Sequence, residues 1–119
     1  MKYIIDEVPP SNNLYIGRND RWKYQYAKKY WEDLVRIRCR PRPLEPIDKA
    51  IVTLTYFFKN KQRRDPDNYS GKMILDGLVR AGIIADDSFD HITLVIKCGG
   101  VSNPPYTEIE VVEQTNEAR

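Results

Sequence analysis

The stretch KAIVTLTYFFK, residues 49–59, is the strongest strand signal in the chain. It is rich in β-branched and aromatic residues, which suit a pleated, half-buried backbone. Side chains two positions apart lie on the same face of a strand. One face of this stretch is therefore wholly apolar, with Val52, Leu54, Tyr56 and Phe58. Such a face predicts a strand that packs against a hydrophobic core.

Helices and further strands are predicted on both sides of this strand. The predicted elements are strands at residues 2–8, 91–98 and 107–112 and helices at about residues 22–39 and 69–81. We expect Gly99-Gly100 and Pro104-Pro105 to join the last two strands and Gly82 to end the second helix.

Both predicted helices carry one apolar stripe. The stripes are Ala27, Trp31, Leu34 and Val35 in the first helix and Ile74, Leu78 and Ala81 in the second. The chain has 119 residues, of which 41% are hydrophobic, so it can bury one modest core. We expect an α/β fold of the α+β type, a single domain in which a small mixed sheet of about four strands carries two main helices on one side.

The cysteines and the N-terminus predict a cytoplasmic protein with no membrane partner. Cys39 and Cys98 are the only cysteines and match no C-x-x-C spacing, so we expect reduced thiols in the core. No apolar run approaches the roughly 20 residues that span a bilayer. The start, MKYIIDEVPPSNN, has acids where a signal peptide needs an apolar run.

Basic residues are concentrated in two segments, although the net charge is only +2. Nine lie from Arg18 to Arg42 and four from Lys59 to Arg64, of nineteen in all. The first segment is interleaved with the aromatic residues Tyr24, Tyr26, Tyr30 and Trp31. Cations mixed with aromatic rings suit a polyanion such as DNA. The alternative is a solvated helix face with an aromatic core stripe.

Two aspartates flank one proline in the stretch RRDPDNYSGK, residues 63–72. Pro66 pushes Asp65 towards an extended conformation. Residues two apart in extended backbone share a side, so we expect Asp65 and Asp67 to present their carboxylates together. Mg²⁺ is commonly held by one or two carboxylates with water and substrate phosphate. The pair therefore indicates a metal site beside a phosphate.

Ordinary structural roles are open for the same residues. A calcium loop does not fit, because Ser70 replaces the required glycine and Asp76 the required glutamate. Asp67 or Asn68 is a typical cap for the following helix. The remaining charges fit common patterns too: Asp86-Asp87 as turn residues and Lys72, Asp76 and Arg80 as an exposed ladder on a helix.

The run RRDPDNYSGKMILDGLVRAGIIADDSFD resembles the RusA family of Holliday-junction resolvases. The family signature is R-x-D-x-D-N, then a lysine, an aspartate and leucine, a glycine and a D-D pair. The sequence PPSNN, Pro9 to Asn13, matches the same family. The resemblance spans nearly the whole chain, although residues of about 18–48 agree only in basic and aromatic character.

The resemblance implies the roles of individual residues. The catalytic, metal-binding aspartates fall on Asp65, Asp67 and Asp87, with Asp86 beside them, and the essential lysine falls on Lys72. The chain has one residue more than the family pattern between Asn68 and Lys72. Either the helix begins later here or Lys72 turns by about 100° away from its expected place.

The activity that the resemblance implies is a Mg²⁺-dependent endonuclease, with Mn²⁺ as a substitute, that nicks four-way DNA junctions on opposing strands. The expected DNA-binding residues are Arg63, Arg64, Lys61, Lys28, Lys29, Arg36 and Arg38. Two other classes stay open: a branched-DNA-binding protein that does not cleave, and a small metal-binding structural module.

Paired nicks require two active sites, so we expect a homodimer with twofold symmetry. A helix of residues 69–81 carries the chain roughly 20 Å away from Asp67. The six residues from Ala81 to Asp87 can return at most about 20 Å, and only if they are almost fully extended. We therefore expect either a nearly straight return to Asp65 in the same chain or a site completed by Asp86 and Asp87 of the partner subunit.

Overall fold

The computed structural model describes residues 1–15 and 21–115. Within these ranges the strands are β1 (Lys2–Ile5), β2 (Ala50–Phe58), β3 (Ile92–Val101) and β4 (Tyr106–Glu113), and the α-helices are α1 (Arg21–Arg38) and α2 (Lys72–Arg80). Short 3₁₀ helices span Asn12–Tyr15 and Pro66–Asn68. Arg18, the first residue of the predicted basic segment, lies outside the described residues.

The strands of the described chain form one mixed sheet in the order β1-β4-β2-β3. β2 lies parallel to β3 and antiparallel to β4, and β4 lies antiparallel to β1. The strand predicted at residues 49–59 is thus an interior strand, paired on both sides. Across residues 1–15 and 21–115, four strands and two α-helices form one globule, which confirms the predicted α+β fold.

One face of the sheet is buried against the two helices. Val52, Leu54 and Tyr56 on β2 are buried on this face, whereas the alternate residues of the strand are only partly covered. Trp31 and Val35 of α1 pack into the same core. The alternation along β2 and the helical stripe of α1 are therefore confirmed, and together they place both helices on one side of the sheet.

α1 and α2 pack closely against each other. A Cβ atom added at Gly77 of α2 would lie 2.9 Å from the Val35 Cβ atom, so only glycine permits this approach. Ion pairs span the two helices from Lys28 to Asp76 and from Arg80 to Glu32, each at 3.9 Å. This contact fixes the position of α2. The predicted site residues lie before, at the start of and after this helix in the chain.

Two strand boundaries differ from the prediction. β1 ends at Ile5 rather than at residue 8, because Asp6 and Glu7 form a bend. Gly99 and Gly100 lie within β3 rather than after it. The register between β2 and β3 shifts after Tyr56, which leaves Gly99 as the extra residue of a β-bulge.

Among the described residues, neither helix is long and apolar enough to cross a membrane.

Candidate active site

The two aspartates around Pro66 adopt different backbone conformations. Asp65 is extended, with φ −107° and ψ 139°, as predicted for a residue before proline. The chain then turns through the 3₁₀ helix Pro66–Asn68, closed by a bond of 3.0 Å from the Asn68 amide to the Asp65 carbonyl. The extended backbone expected from Asp65 to Asp67 is therefore wrong, because the chain is extended at Asp65 and turns at Pro66. The Asp65 side chain is half-exposed and Asp67 is exposed.

The two arginines before Asp65 make different contacts. Arg63 is exposed, and its Nε donates to Oδ1 of Asp65 at 3.2 Å. Arg64 instead donates to the Asn60 and Gln62 carbonyl oxygens at 3.1 and 2.9 Å. Arg64 also covers the Phe58 ring, with 4.3 Å from its Cζ atom to the ring centroid. Arg63 thus offsets the charge of a candidate metal ligand, whereas Arg64 stabilises the loop that carries it.

α2 begins at Lys72 rather than at Tyr69. Gly71 is its N-cap residue, with φ +79°, and no side chain caps the helix. The cap predicted at Asp67 or Asn68 is therefore wrong. Gly71 is buried, and a Cβ atom there would lie 2.2 Å from Cδ1 of Leu54. The 3₁₀ turn and the left-handed glycine take up the additional residue, so of the two alternatives the later helix start is the one observed.

Lys72 lies on the first turn of α2 and is exposed. Its Nζ atom is 3.5 Å from Oδ2 of Asp76, and Nζ of Lys28 on α1 is 3.9 Å from the same oxygen. The first pair of the expected charge ladder, Lys72 with Asp76, is therefore present, whereas Arg80 pairs with Glu32 rather than with Asp76. Asp76 holds Lys72 on the side of α2 that faces α1.

The PPSNN motif lies against the aspartate loop, 55 residues further along the chain. The Asn12 side-chain amide donates to the Asp67 carbonyl oxygen at 3.3 Å and to Oγ of Ser70 at 3.2 Å. Ser11 and Asn13, on either side of Asn12, also line a polar cleft beside the aspartate loop. It is lined by Ser11, Asn13, Gln62, Arg63, Arg64, Asp65, Asn68 and Tyr69 and has a volume of about 340 Å³. The fold thus joins the two motifs on which the RusA resemblance depends.

Asp86 and Asp87 follow α2 in the chain. Gly82, with φ +78°, ends the helix as predicted, because its amide bonds to Val79 and the Ile83 amide bonds to Leu78. The chain then pairs with Ile47, whose amide and carbonyl bond to Ile83 and Ala85 at 2.9 Å each. This pairing fixes the path of residues 83–85, which lead to Asp86 and Asp87.

The four candidate aspartates do not form one cluster. Asp65 shares a cavity wall with Ile96, Lys97 and Cys98, in the second half of β3. Asp87 lines a different cavity with Leu75 of α2 and with Ile92, Thr93 and Leu94 at the start of β3. Throughout residues 1–15 and 21–115, no three histidine, cysteine, aspartate or glutamate side chains are grouped closely enough to hold a metal ion.

The basic side chains predicted on α1 contact acidic residues of the same chain. Lys28 pairs with Asp76, Lys29 and Arg36 pair with Asp33, and Arg38 pairs with Asp6, at 3.3 to 3.9 Å. Lys29, Arg36 and Arg38 stay largely exposed, whereas Lys28 is about two-thirds covered. Lys61 is exposed in the loop before Arg63. The exposed members present their charge to solvent in spite of their ion pairs.

The aromatic residues of α1 divide into buried and exposed groups. Trp31 is buried, so the alternative of a core stripe is right for this residue. Tyr26 and Tyr30 are exposed. Trp22 is exposed too, although it was not among the aromatic residues predicted to suit a polyanion. Its signal was the spacing of Trp22, Tyr26 and Tyr30, which are four residues apart and therefore lie on one helix face.

The two cysteines also differ. Cys39 is buried as expected, and burial raises the pKa of its thiol to about 12. Cys98 is exposed, so its predicted core position is wrong. It lies on β3, an edge strand of the sheet.

No family model and no curated protein sequence matches this chain.

Proposed function

We propose that this protein is a Mg²⁺-dependent endodeoxyribonuclease that binds four-way DNA junctions and resolves them by paired nicks. The observation that carries the proposal is the pair of bonds from Asn12 to the Asp67 carbonyl and to Ser70. Two motifs that resemble the resolvase family are far apart in sequence and lie against each other in the fold. The polar cleft between them contains both Asp65 and Arg63, a carboxylate and an exposed cation.

The carboxylates of the aspartate loop suit Mg²⁺ by their chemistry. This ion is usually held by one or two carboxylates with water and substrate phosphate. Asp65 and Asp67 supply two carboxylates on one turn, both accessible to solvent. When bound, the ion supplies a water of lowered pKa and offsets charge at the attacked phosphate.

The remaining residues of the loop position the DNA. Arg63 is exposed beside Asp65 and is placed to hold a neighbouring phosphate without reading the base sequence. Lys72 provides an ammonium group on the first turn of α2, where it stabilises negative charge that develops during phosphate attack. Asn12 and Ser70 fix the turn that carries Asp67.

A second copy of the chain explains how Asp87 takes part. β3 is an edge strand of the sheet, and its unpaired side can accept another strand. Asp65 lines a cavity beside the second half of β3, and Asp87 lines a cavity beside its first half. If two β3 strands pair in antiparallel register, the start of one lies beside the end of the other. Asp87 of the partner subunit then lies beside Asp65, which gives two equivalent sites in a dimer.

A cleavage assay tests this function. A mobile four-way junction labelled on each strand in turn is incubated with the protein and Mg²⁺, with linear duplex of the same sequence as the control. We expect symmetric nicks in the junction and an intact duplex. Ca²⁺ in place of Mg²⁺ is expected to permit binding with little cutting, because the larger ion accepts looser coordination. Tight junction binding without nicks in Mg²⁺ or Mn²⁺ would identify a binding protein instead.

A further inference from the structure

α1 presents a stripe of exposed aromatic side chains on the face opposite the core. Trp22 is 84% exposed, Tyr26 is 71% exposed and Tyr30 is 42% exposed. The opposite face of the same helix is anchored by Trp31, which is 2% exposed, and by the buried Val35. The stripe is therefore held on a rigid helix rather than on a loop, and large aromatic rings in contact with water mark a surface that binds a partner.

The spacing of the rings suits unstacked bases. Residues four apart on an α-helix are separated by about 6 Å along the axis, so the stripe extends over roughly 12 Å. Neighbouring bases in a duplex strand are spaced by about 3.4 Å. Successive rings of the stripe can therefore receive successive bases only where a strand is unstacked. The bases of an intact duplex are also covered by their neighbours and expose only their edges.

The charges beside the stripe favour a polyanion. Lys23 and Lys29 lie on its two flanks, about 60° from Tyr26 on either side at 100° per residue. Arg36 lies on the Lys29 side, one to two turns further along. Asp33 is an acidic residue on the same face, and it contacts Lys29 at 3.4 Å and Arg36 at 3.3 Å. The face therefore combines aromatic rings with a net positive charge, as proteins that bind single strands do.

The stripe also lies near the candidate active site. The rings of Tyr26 and Tyr30 line a cavity with Val8 and Pro10, in the segment that leads into the PPSNN motif. The Tyr30 hydroxyl donates to the carboxylate of Glu7, which ties the stripe to the same segment. Asn12 of that motif bonds to the aspartate loop. A strand that leaves the active-site cleft can therefore follow this segment to α1.

We propose that Trp22, Tyr26 and Tyr30 form a stacking platform for unpaired DNA bases, with Lys23 and Lys29 holding the adjoining phosphates. The occupant is the single-stranded or frayed DNA at a branch point. This inference rests on the proposed function for the source of the unpaired strand, but the platform itself acts on any single strand.

The test compares affinity and salt dependence. Binding of a 20-nucleotide oligo(dT) and of a four-way junction is measured at several salt concentrations for the wild type, for Trp22→Ala combined with Tyr26→Ala, and for Lys23→Ala combined with Lys29→Ala. Leu44→Ala is the control, since Leu44 is also fully exposed but lies outside both sites. Trp22→Phe keeps an aromatic ring at position 22 and is expected to retain most of the wild-type affinity for oligo(dT).

The two kinds of variant are expected to differ in a defined way. Loss of one stacked base weakens binding about fivefold or more without changing the slope of log K against log salt, because stacking releases no counterions. Loss of a lysine flattens the slope for a single strand by about 0.7 per phosphate contact. Stacking on oligo(dT) also quenches the fluorescence of Trp22, while the buried Trp31 gives a constant background.

Several results would overturn the inference. Unchanged oligo(dT) affinity in the aromatic variant, or a flatter salt slope in place of weaker binding, excludes stacking. A change in sedimentation with unchanged affinity assigns the stripe to contact between copies of the chain. If junctions are cleaved normally by the aromatic variant and its affinity is unchanged, this inference fails while the proposed function stands. If oligo(dT) quenches Trp22 fluorescence but no junction is cut, the stacking platform stands while the proposed function fails.

Discussion

Acidic candidate residues both precede and follow α2, but the two groups differ in how far they are hydrogen-bonded to other parts of the chain. At the first end, the Asn12 side-chain amide donates to the Asp67 carbonyl oxygen and to Oγ of Ser70, and Lys72 is paired with Asp76. At the second end, beyond Gly82, the backbone is well bonded but the side chains of Asp86 and Phe89 are exposed. The first end is joined to a distant segment by side-chain hydrogen bonds, whereas the second presents the Asp86 carboxylate and the Phe89 ring to solvent. If the protein dimerises as we propose, these exposed side chains are free to contact the partner subunit.

The largest expected effect is the loss of cleavage at the first end. Asp65→Asn or Asp67→Asn is expected to reduce junction nicking by orders of magnitude, because each removes a carboxylate that we propose as a metal ligand. Junction binding is expected to stay equal or become tighter, because the substitution removes repulsion with DNA phosphates. The measurement is single-turnover nicking together with a binding titration in Ca²⁺. Glu45→Gln is the control, an exposed carboxylate outside the site, and wild-type nicking by Asp65→Asn would disprove the assignment.

Complementation gives the next largest effect and joins the two ends. An Asp65→Asn protein and an Asp87→Asn protein are each expected to be inactive. When they are mixed and allowed to exchange subunits, heterodimers gain one site made of two intact halves, so activity returns to about a quarter of the wild-type level. Nicking would fall on one strand per junction. If each site lies within one chain, every site carries a lesion and the mixture stays inactive.

Sequence periodicity predicted the structural elements that depend on local sequence pattern. The strand at residues 49–59 and the helix at 22–39 were placed correctly because each has a regular apolar pattern that the core then covers. Pro66 correctly fixed Asp65 as extended. The start of α2 was harder, because the left-handed conformation of Gly71 depends on its close packing against Leu54.

The positions of the acidic pairs could not be predicted from local pattern. The distance between Asp65 and Asp87 depends on how Gly82 ends α2 and on the pairing of the next residues with Ile47, which is a tertiary contact. The exposure of Cys98 has the same origin, since the position of β3 at the edge of the sheet is also set by tertiary contacts. Residue type alone predicts a buried thiol.

A third effect concerns stability, because a left-handed glycine flanks each end of α2. Gly71 has φ +79° and Gly82 has φ +78°, so alanine at either position costs roughly 1–2 kcal/mol of unfolding free energy from backbone strain. A Cβ atom at Gly82 meets no atom within 4 Å, whereas one at Gly71 overlaps the buried Leu54. We therefore expect Gly71→Ala to lose at least about 1 kcal/mol more than Gly82→Ala.

Urea unfolding of both glycine variants measures this difference, with the slope of the transition checked for equal exposure of surface. Gly82→Asn is a useful companion, because asparagine tolerates the left-handed region better than alanine does. Equal losses for Gly71→Ala and Gly82→Ala would show that Leu54 yields without cost, and the close packing of the first end would then not be a constraint on the site.

The smallest expected effect is on the salt dependence of junction binding. Arg63 is exposed and contacts Asp65, and Lys61 is exposed in the same loop before α2, whereas Arg80 lies in the last turn of α2 and pairs with Glu32. If DNA phosphates lie along the first end, alanine at Lys61 or Arg63 removes one counterion-releasing contact. Each variant is then expected to flatten the slope of log K against log salt by about 0.9, the duplex value per contact. Arg80→Ala is the matched control and is expected to leave the slope unchanged. A slope altered by Arg80→Ala but not by Arg63→Ala would place the DNA at the second end and reverse the roles assigned to the two ends of the helix.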